Sequence, residues 1–207
     1  MSDAGQNYHH GDLRATLLRV ATQRVVKEGI DSLSLRKLAE EAGVSRTAPY
    51  HHFKDKNALL NAIAAHGFAQ WHEKANEVFD DASRTPHQRF KDFIRNYISW
   101  AADNPQLYEL MFGRTIWQAG KATEDLTSIA FPSFQFLVKI TAHWQDKGIL
   151  PANQDPLRLT QVTWGTMHGI ARLVIDGIYA ESSHINEMCD CAADMFMQAA
   201  SARPATK

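Results

Sequence analysis

The chain has 207 residues, 44% of them hydrophobic, with two cysteines and a formal net charge of −1. That length suits one or two domains with a sizeable core. Two cysteines exclude a secreted disulfide scaffold, and near-neutrality excludes a strong single-sign field over the whole molecule.

In chain order, residues 1–11 read as a polar, flexible arm without an apolar signal core. A first helix is expected over Asp12–Glu28, where Leu13, Leu17, Val20, Ala21 and Val25 recur at helical spacing. Gly29 ends it. Ser34 can cap a short second helix, whose apolar face is Leu35, Leu38, Ala39 and Ala42. Gly43 comes next as a residue free to adopt positive φ, Val44 can plug the corner, and Ser45 is a suitable N-cap for another short helix. That third helix would carry Arg46, Thr47, Ala48, Tyr50, His51 and Lys54. Two short helices about a glycine-containing turn form a helix-turn-helix, whose second helix reads the DNA major groove. The charge distribution agrees: residues 1–60 hold nine Lys/Arg against seven Asp/Glu, and residues 61–207 hold thirteen against sixteen.

The run Gly29, Ser34, Leu38–Ala39, Ala42–Gly43–Val44–Ser45, Tyr50, Phe53, Lys56 and Leu59–Leu60 resembles the signature of the TetR-like family of bacterial transcriptional regulators. The resemblance covers about the first quarter of the chain. It implies an all-helical homodimer with an N-terminal DNA-binding domain and a C-terminal ligand-binding domain. Tyr8–Arg14 and Trp164–Gly169 resemble the subgroup with a tryptophan-histidine-glycine region. One departure is Ala48–Pro49. Pro49 is expected near the fourth helical position, where it loses an amide donor and crowds the helix start.

Arg36, Ser45, Arg46, Thr47, Ala48, Tyr50, His51, Lys54 and Lys56 are therefore the expected DNA contacts. Arg46, Thr47 and His51 face outward if Val44 and Phe53 face in. An arginine can bind guanine in bidentate fashion and a threonine can touch a thymine methyl. Tyr50, Arg36, Lys54 and Lys56 suit phosphates, and so does the arm. His9 and His10 have no third metal ligand nearby.

A long helix is expected from Asp55–Lys56 to about Ala82, another over Pro86–Asn104, and a short one over Pro105–Phe112. Gly113–Gly120 reads as looser chain. A further helix is expected over Thr123–Lys147, bent or interrupted by Pro132. The last two are expected over Pro156–Ala180, apolar nearly all round, and Ser183–Ala200. The whole is all-α with about nine helices. The domains are 12–58 for DNA binding and 59–201 for ligand binding and dimerisation, with a tail over 202–207.

The family implies a cavity in the second domain. Its candidate lining is Tyr97, Trp100, Met111, Phe112, Trp117, Phe136, Ile140, Trp144 and Trp164, with His168 and Arg172 as polar anchors for a small, largely apolar effector. Arg172 could hold a carboxylate or pair with Asp176. Gly165 and Gly169, four apart, allow another helix to approach closely. Val174, Ile178, Ile185, Met188, Ala192, Met195, Phe196 and Ala199 form the expected interface between two copies of the chain.

No paired nucleophile and base, no glycine-rich phosphate loop and no metal-ligand cluster points to an enzyme, and no cofactor is expected. Cys189 and Cys191, two apart on a helix, point away from each other, which disfavours an internal disulfide and a redox switch. The longest apolar runs fall short of a membrane span. A cytoplasmic location is expected, with operator DNA, a second copy of the chain and a small effector as partners and no membrane.

Overall fold

A computed structural model of the chain describes residues 13–179 and 184–201. The described residues are all-helical, as expected. They form α1 (Leu13–Glu28), α2 (Leu35–Glu41), α3 (Lys56–Asp80), α4 (Pro86–Asp103), α5 (Pro105–Phe112), α6 (Arg114–Trp117), α7 (Glu124–Asp146), α8 (Pro156–Ile175) and α9 (Ile185–Ser201). Short 3-10 turns lie at Ile30–Ser32, Ala48–His51 and Gln118–Gly120. The expected arm with His9 and His10, and the tail over 202–207, lie outside the described residues.

The chain divides into two compact units. One runs through His66 and includes Gln106–Leu126; the other comprises Gly67–Pro105 and the chain from Thr127 on. The division differs from the expected boundary at residue 58, and Gln106–Leu126 falls with the first unit. Helical periodicity reports which face is buried, not which unit buries it.

In the first unit, Leu17, Ala21 and Val25 of α1 and Leu35, Leu38 and Ala39 of α2 are buried, together with Leu33 and Phe53. Ser34 caps α2 by accepting the amide of Lys37 at 3.2 Å. Gly43, at φ 67°, closes α2 with the bonds Gly43 N to Glu40 O (3.3 Å) and Val44 N to Ala39 O (3.0 Å). This paired closure needs a left-handed residue, which costs any side chain with a Cβ. Arg24 of α1 donates to the Ser32 carbonyl at 3.1 Å and pairs with Glu28 at 2.9 Å and with Glu41. Those bonds tie α1 to the end of α2.

In the second unit, α4 turns Phe90, Phe93, Ile94, Tyr97, Ile98 and Ala101 inward, and α8 and α9 both pack on it. Its start is a capping box: Thr85 Oγ1 accepts the Gln88 amide at 3.2 Å, and Gln88 Oε1 accepts the Thr85 amide at 3.0 Å. Lys91–Asp194 (2.7 Å) and Arg95–Asp190 pin α9 to α4. Asp155 caps α8 through the Arg158 amide at 2.9 Å.

Several expected boundaries move. Pro132 sits on an exposed side of α7, which runs unbroken from Glu124 to Asp146. Residues expected as looser chain form α6 and a 3-10 turn. The α8 helix stops at Ile175, five residues early, because Gly177 at φ 71° closes it with Ile178 N to Leu173 O at 3.0 Å. Its apolar pattern continues past this stop, so periodicity alone overran it.

Candidate nucleic-acid interface and effector region

The reading element begins at the closure of α2. Ser45 does not cap a helix. Its carbonyl accepts the Ala48 amide at 3.0 Å and its hydroxyl lies 3.3 Å from Thr47 Oγ1. The next element is a 3-10 turn, Ala48–His51, rather than an α-helix. Pro49 is at the start of that turn, not near a fourth helical position. An amide is dispensable there, and the expected crowding does not arise. The Pro49 carbonyl accepts the amides of His52 (3.1 Å) and Phe53 (2.9 Å), and Pro49 itself is buried.

Burial sorts this stretch by face. Pro49 and Phe53 are buried, and Phe53 is only 2% exposed. The Arg14 guanidinium carbon of α1 stands 5.5 Å from the centre of the Phe53 ring. Ser45, Arg46, Thr47, Tyr50, His51 and Lys54 are displayed on the outer side, while Ala48 and Lys56 are half-buried. Tyr50 shows 55% of its surface, unusual for a tyrosine at the edge of a core. Arg36 is exposed on α2 with Glu40 at 3.7 Å, and α2 packs against the reading turn. The α3 helix then starts with Asp55 accepting the Ala58 amide at 2.8 Å. Sequence reasoning missed two exposed groups: Lys37 beside Arg36, and His52. The available signal was their basic or titratable character within the same stretch. Donors of this type, held on a short turn over a buried anchor, can reach phosphates and base edges.

The expected cavity residues fall in both units. Met111, Phe112 and Trp117 are in the first, where the Trp117 indole donates to the Met111 carbonyl at 2.5 Å. Tyr97, Trp100, Phe136, Ile140, Trp144, Trp164, His168 and Arg172 are in the second. There, Trp144 meets Phe90 at 4.9 Å and Phe93 at 5.1 Å, and Tyr97 stands edge-on to Trp71 at 4.9 Å. The Trp164 indole donates to the Tyr97 hydroxyl at 2.9 Å, with His168 5.7 Å from the Trp164 ring. Arg172 reaches Asp176 at 3.1 Å.

Ile140, Trp144 and Trp164 converge on a hollow of about 10 Å³ between α4, α7 and α8. Sequence reasoning missed its polar wall, Thr141, Thr160 and Thr163, all buried. The spacing of three between the two threonines on α8 was the available signal. A wider cleft of about 610 Å³ opens between Ala69–Asp80 of α3 and Ile129, Pro132 and Ser133 of α7. One of the expected lining residues, Phe136, stacks on His72 of this cleft at 4.6 Å.

On α8 and α9 the expected interface residues divide. Ala192 is buried with Cys189 and Ala193 against the unit's own core. Ile178 and Met195 are each 66% exposed, and Ala199 is exposed. Val174, Ile185, Met188 and Phe196 are half-buried. A Cβ added at Gly165 or Gly169 would meet nothing within 4 Å, so no helix among the described residues uses that close-approach face. Cys189 is buried and Cys191 exposed, both as free thiols, and burial pushes the Cys189 thiol up to about 11.

A glycine-closed helix and a reading turn presenting polar donors outward have the arrangement of a helix-turn-helix. The tetR-family model for bacterial regulatory proteins matches residues 17–63, and the tetracyclin repressor-like C-terminal domain model matches residues 90–196. The chain therefore belongs to the TetR family of bacterial regulatory proteins. It is similar to the class A tetracycline repressor protein from transposon 1721 of Escherichia coli, 40% identical over 70 residues, 34% of this chain and 32% of that one. It also resembles the class D tetracycline repressor protein of Escherichia coli, 37% identical over 88 residues, 41% and 40% of the two chains. The match thus spans only about a third to two fifths of the length of these curated relatives. Among solved structures, a protein of unknown function from Rhodococcus sp. RHA1 superposes with a TM-score of 0.81 at 35% identity, covering 93% of this chain and 97% of that one. The transcriptional regulator FadR from Bacillus subtilis, in complex with stearoyl-CoA, shares the fold at a TM-score of 0.68 and 16% identity, covering 89% and 98%. Among the described residues, no helix is long and apolar enough to cross a membrane.

Proposed function

We propose that the chain is a cytoplasmic repressor that binds a near-palindromic operator as a homodimer and is released by a small, largely apolar effector. The observation that carries this reading is the outward display of Ser45, Arg46, Thr47, Tyr50, His51 and Lys54 over buried Pro49 and Phe53. Arg46 and Thr47 read base edges, with Ala48 and His51 beside them. Tyr50, Lys54, Lys56 and Arg36 hold phosphates. Two copies place their reading turns in successive major grooves about 34–36 Å apart.

The copies join through the outer faces of α8 and α9. The exposure of Val162, Ile178 and Met195 and the open space over Gly165 and Gly169 support that assignment. The Trp164–Gly169 run supports membership of the tryptophan-histidine-glycine subgroup. The effector enters the second unit. Its aromatic and threonine-lined hollow is nearly filled, so a ligand must part α4, α7 and α8, or seat first in the cleft between α3 and α7. It shifts the protein toward a non-binding state only by its differential affinity for the two states.

Fluorescence anisotropy with DNA from the gene's own upstream region, against a scrambled duplex and at stepped salt, tests this reading. Selective binding of one dimer per site, weakening as salt rises and reversed by a compound from an apolar ligand panel, supports it. Operator affinity that no ligand alters at saturation would remove the effector part.

A further inference from the structure

Three peptide connections carry the chain from one unit to the other: within α3 after His66, between Pro105 and Gln106, and within α7 after Leu126. Inside the first unit, one side chain ties two of these three together. Asn61 of α3 is 1% exposed. Its Nδ2 donates to the Asn57 carbonyl at 2.9 Å and to the Lys121 carbonyl at 3.1 Å. Its Oδ1 accepts the Thr123 amide at 2.9 Å. Thr123 is itself the cap of α7, its hydroxyl accepting the Leu126 amide at 3.3 Å. Asn57 adds a second bond to the Lys121 carbonyl at 3.1 Å.

The carboxamide is the one side-chain group of this size that can do this. The site needs two N–H donors for two carbonyls and an acceptor for an amide, and only one orientation of the group satisfies all three. A carboxylate keeps the acceptor and loses both donors. An alanine removes both donors and leaves the Thr123 amide without this acceptor, in a part-buried site. The clasp therefore acts as a unit: α3 cannot slide or turn against the start of α7 without breaking the bonds to Lys121 and Thr123 together.

We infer that Asn61 is a positioning residue that sets the half-site spacing at which the two reading heads engage DNA. The inference rests on the reading of the chain as an operator-binding dimer. The reading turn leads directly into α3, and the helices proposed to join two copies come after α7 in the chain. With the clasp closed, the starts of α3 and α7 are fixed to one another inside the first unit, and so is the direction in which α3 leaves the reading turn. With the clasp open, that direction is no longer fixed. Asn61 itself reaches no DNA. It acts through the direction in which α3 leaves the reading turn.

The test uses the full chain and an operator obtained by random-sequence selection, with one or two base pairs added or removed between the half-sites. Binding is measured for the wild type, Asn61→Ala, Asn61→Asp and Asn57→Ala. The wild type is expected to show one sharp spacing optimum. Asn61→Ala and Asn61→Asp should flatten the profile, losing tenfold or more at the optimum and less than threefold one base pair away. Their half-site base preference should stay unchanged. Asn57→Ala leaves the three bonds of Asn61 in place and should keep the optimum. Asn61→Asp carries the test if the alanine variant does not fold. A profile of wild-type shape in the Asn61 variants, lowered by one common factor at every spacing, would mean a merely structural role and overturn the inference. A wild-type chain with no sequence-selective binding at any spacing would overturn the operator-binding reading itself, and this inference with it.

Discussion

The indole N–H of Trp164 points at the hydroxyl oxygen of Tyr97, 2.9 Å away, and joins α8 to α4. Tyr97 is 2% exposed, and Trp71 stands edge-on to its ring. Two residues expected to line a cavity thus hold each other, Tyr97 in the core and Trp164 half-buried beside it. An effector that parts them must replace this bond or lose it.

Removing the hydroxyl isolates the bond. Tyr97→Phe keeps the ring and its packing on Trp71, and should lower unfolding stability by about 1 kcal/mol. Urea denaturation reads this as a lower midpoint at an unchanged slope.

The two cysteines should behave as opposites. Cys191 is exposed and Cys189 is fully buried. With its thiol raised from 9.0 to about 11, Cys189 is a poor nucleophile at neutral pH. A maleimide at about pH 7.5 should modify Cys191 first and Cys189 only after unfolding. The raised value also sets a sign. Above pH 9.0 the unfolded chain loses this proton while the folded chain keeps it, so the thiol's contribution to stability declines between there and about 11. Cys189→Ala should flatten that part of the stability profile.

The outer face of α8 can be blocked without disturbing its own unit. Nothing lies within 4 Å of a Cβ built at Gly169, so Gly169→Leu should fold normally by circular dichroism. If two copies meet across this face, the leucine should weaken dimerisation at least tenfold, which light scattering across a dilution series will show. An unchanged dimer would place the interface elsewhere.

Contacts to DNA should separate by type. Lys54→Ala should weaken binding to all sequences alike and lower the slope of log affinity against log salt by about 1. Arg46→Ala should instead relax the preference at one base position, at a cost of about 1–3 kcal/mol. Anisotropy on a panel of single-base operator variants distinguishes the two.

Local chemistry made much of the fold legible. Ser34, Asp155 and Gly43 announce helix ends because a cap is settled by its own neighbours in sequence. The buried faces of α1, α2 and α4 come from spacing alone. Other features were hidden for physical reasons. Pro49 turns the expected reading helix into a 3-10 turn, because a proline and its carbonyl organise that short element. Gln106–Leu126 belongs with the first unit, which no periodicity records. Asn61 looks like an ordinary polar position on a long helix, since two of its partners lie 60 and 62 residues away. Thr160 and Thr163 give little signal because a threonine on a helix usually bonds back to its own preceding turn, as both also do here.

Random-sequence DNA selection with the full-length protein, and then anisotropy on the enriched duplex and its scrambled counterpart, is the most direct test of operator recognition by the Ser45–Lys56 surface. Recognition by that surface predicts a near-palindrome with half-sites about 10 base pairs apart centre to centre, bound by two chains and far more tightly than the scramble. Arg46→Ala should alter the enriched sequence. Failure to enrich any sequence, or equal affinity for both duplexes, would contradict operator recognition by this chain.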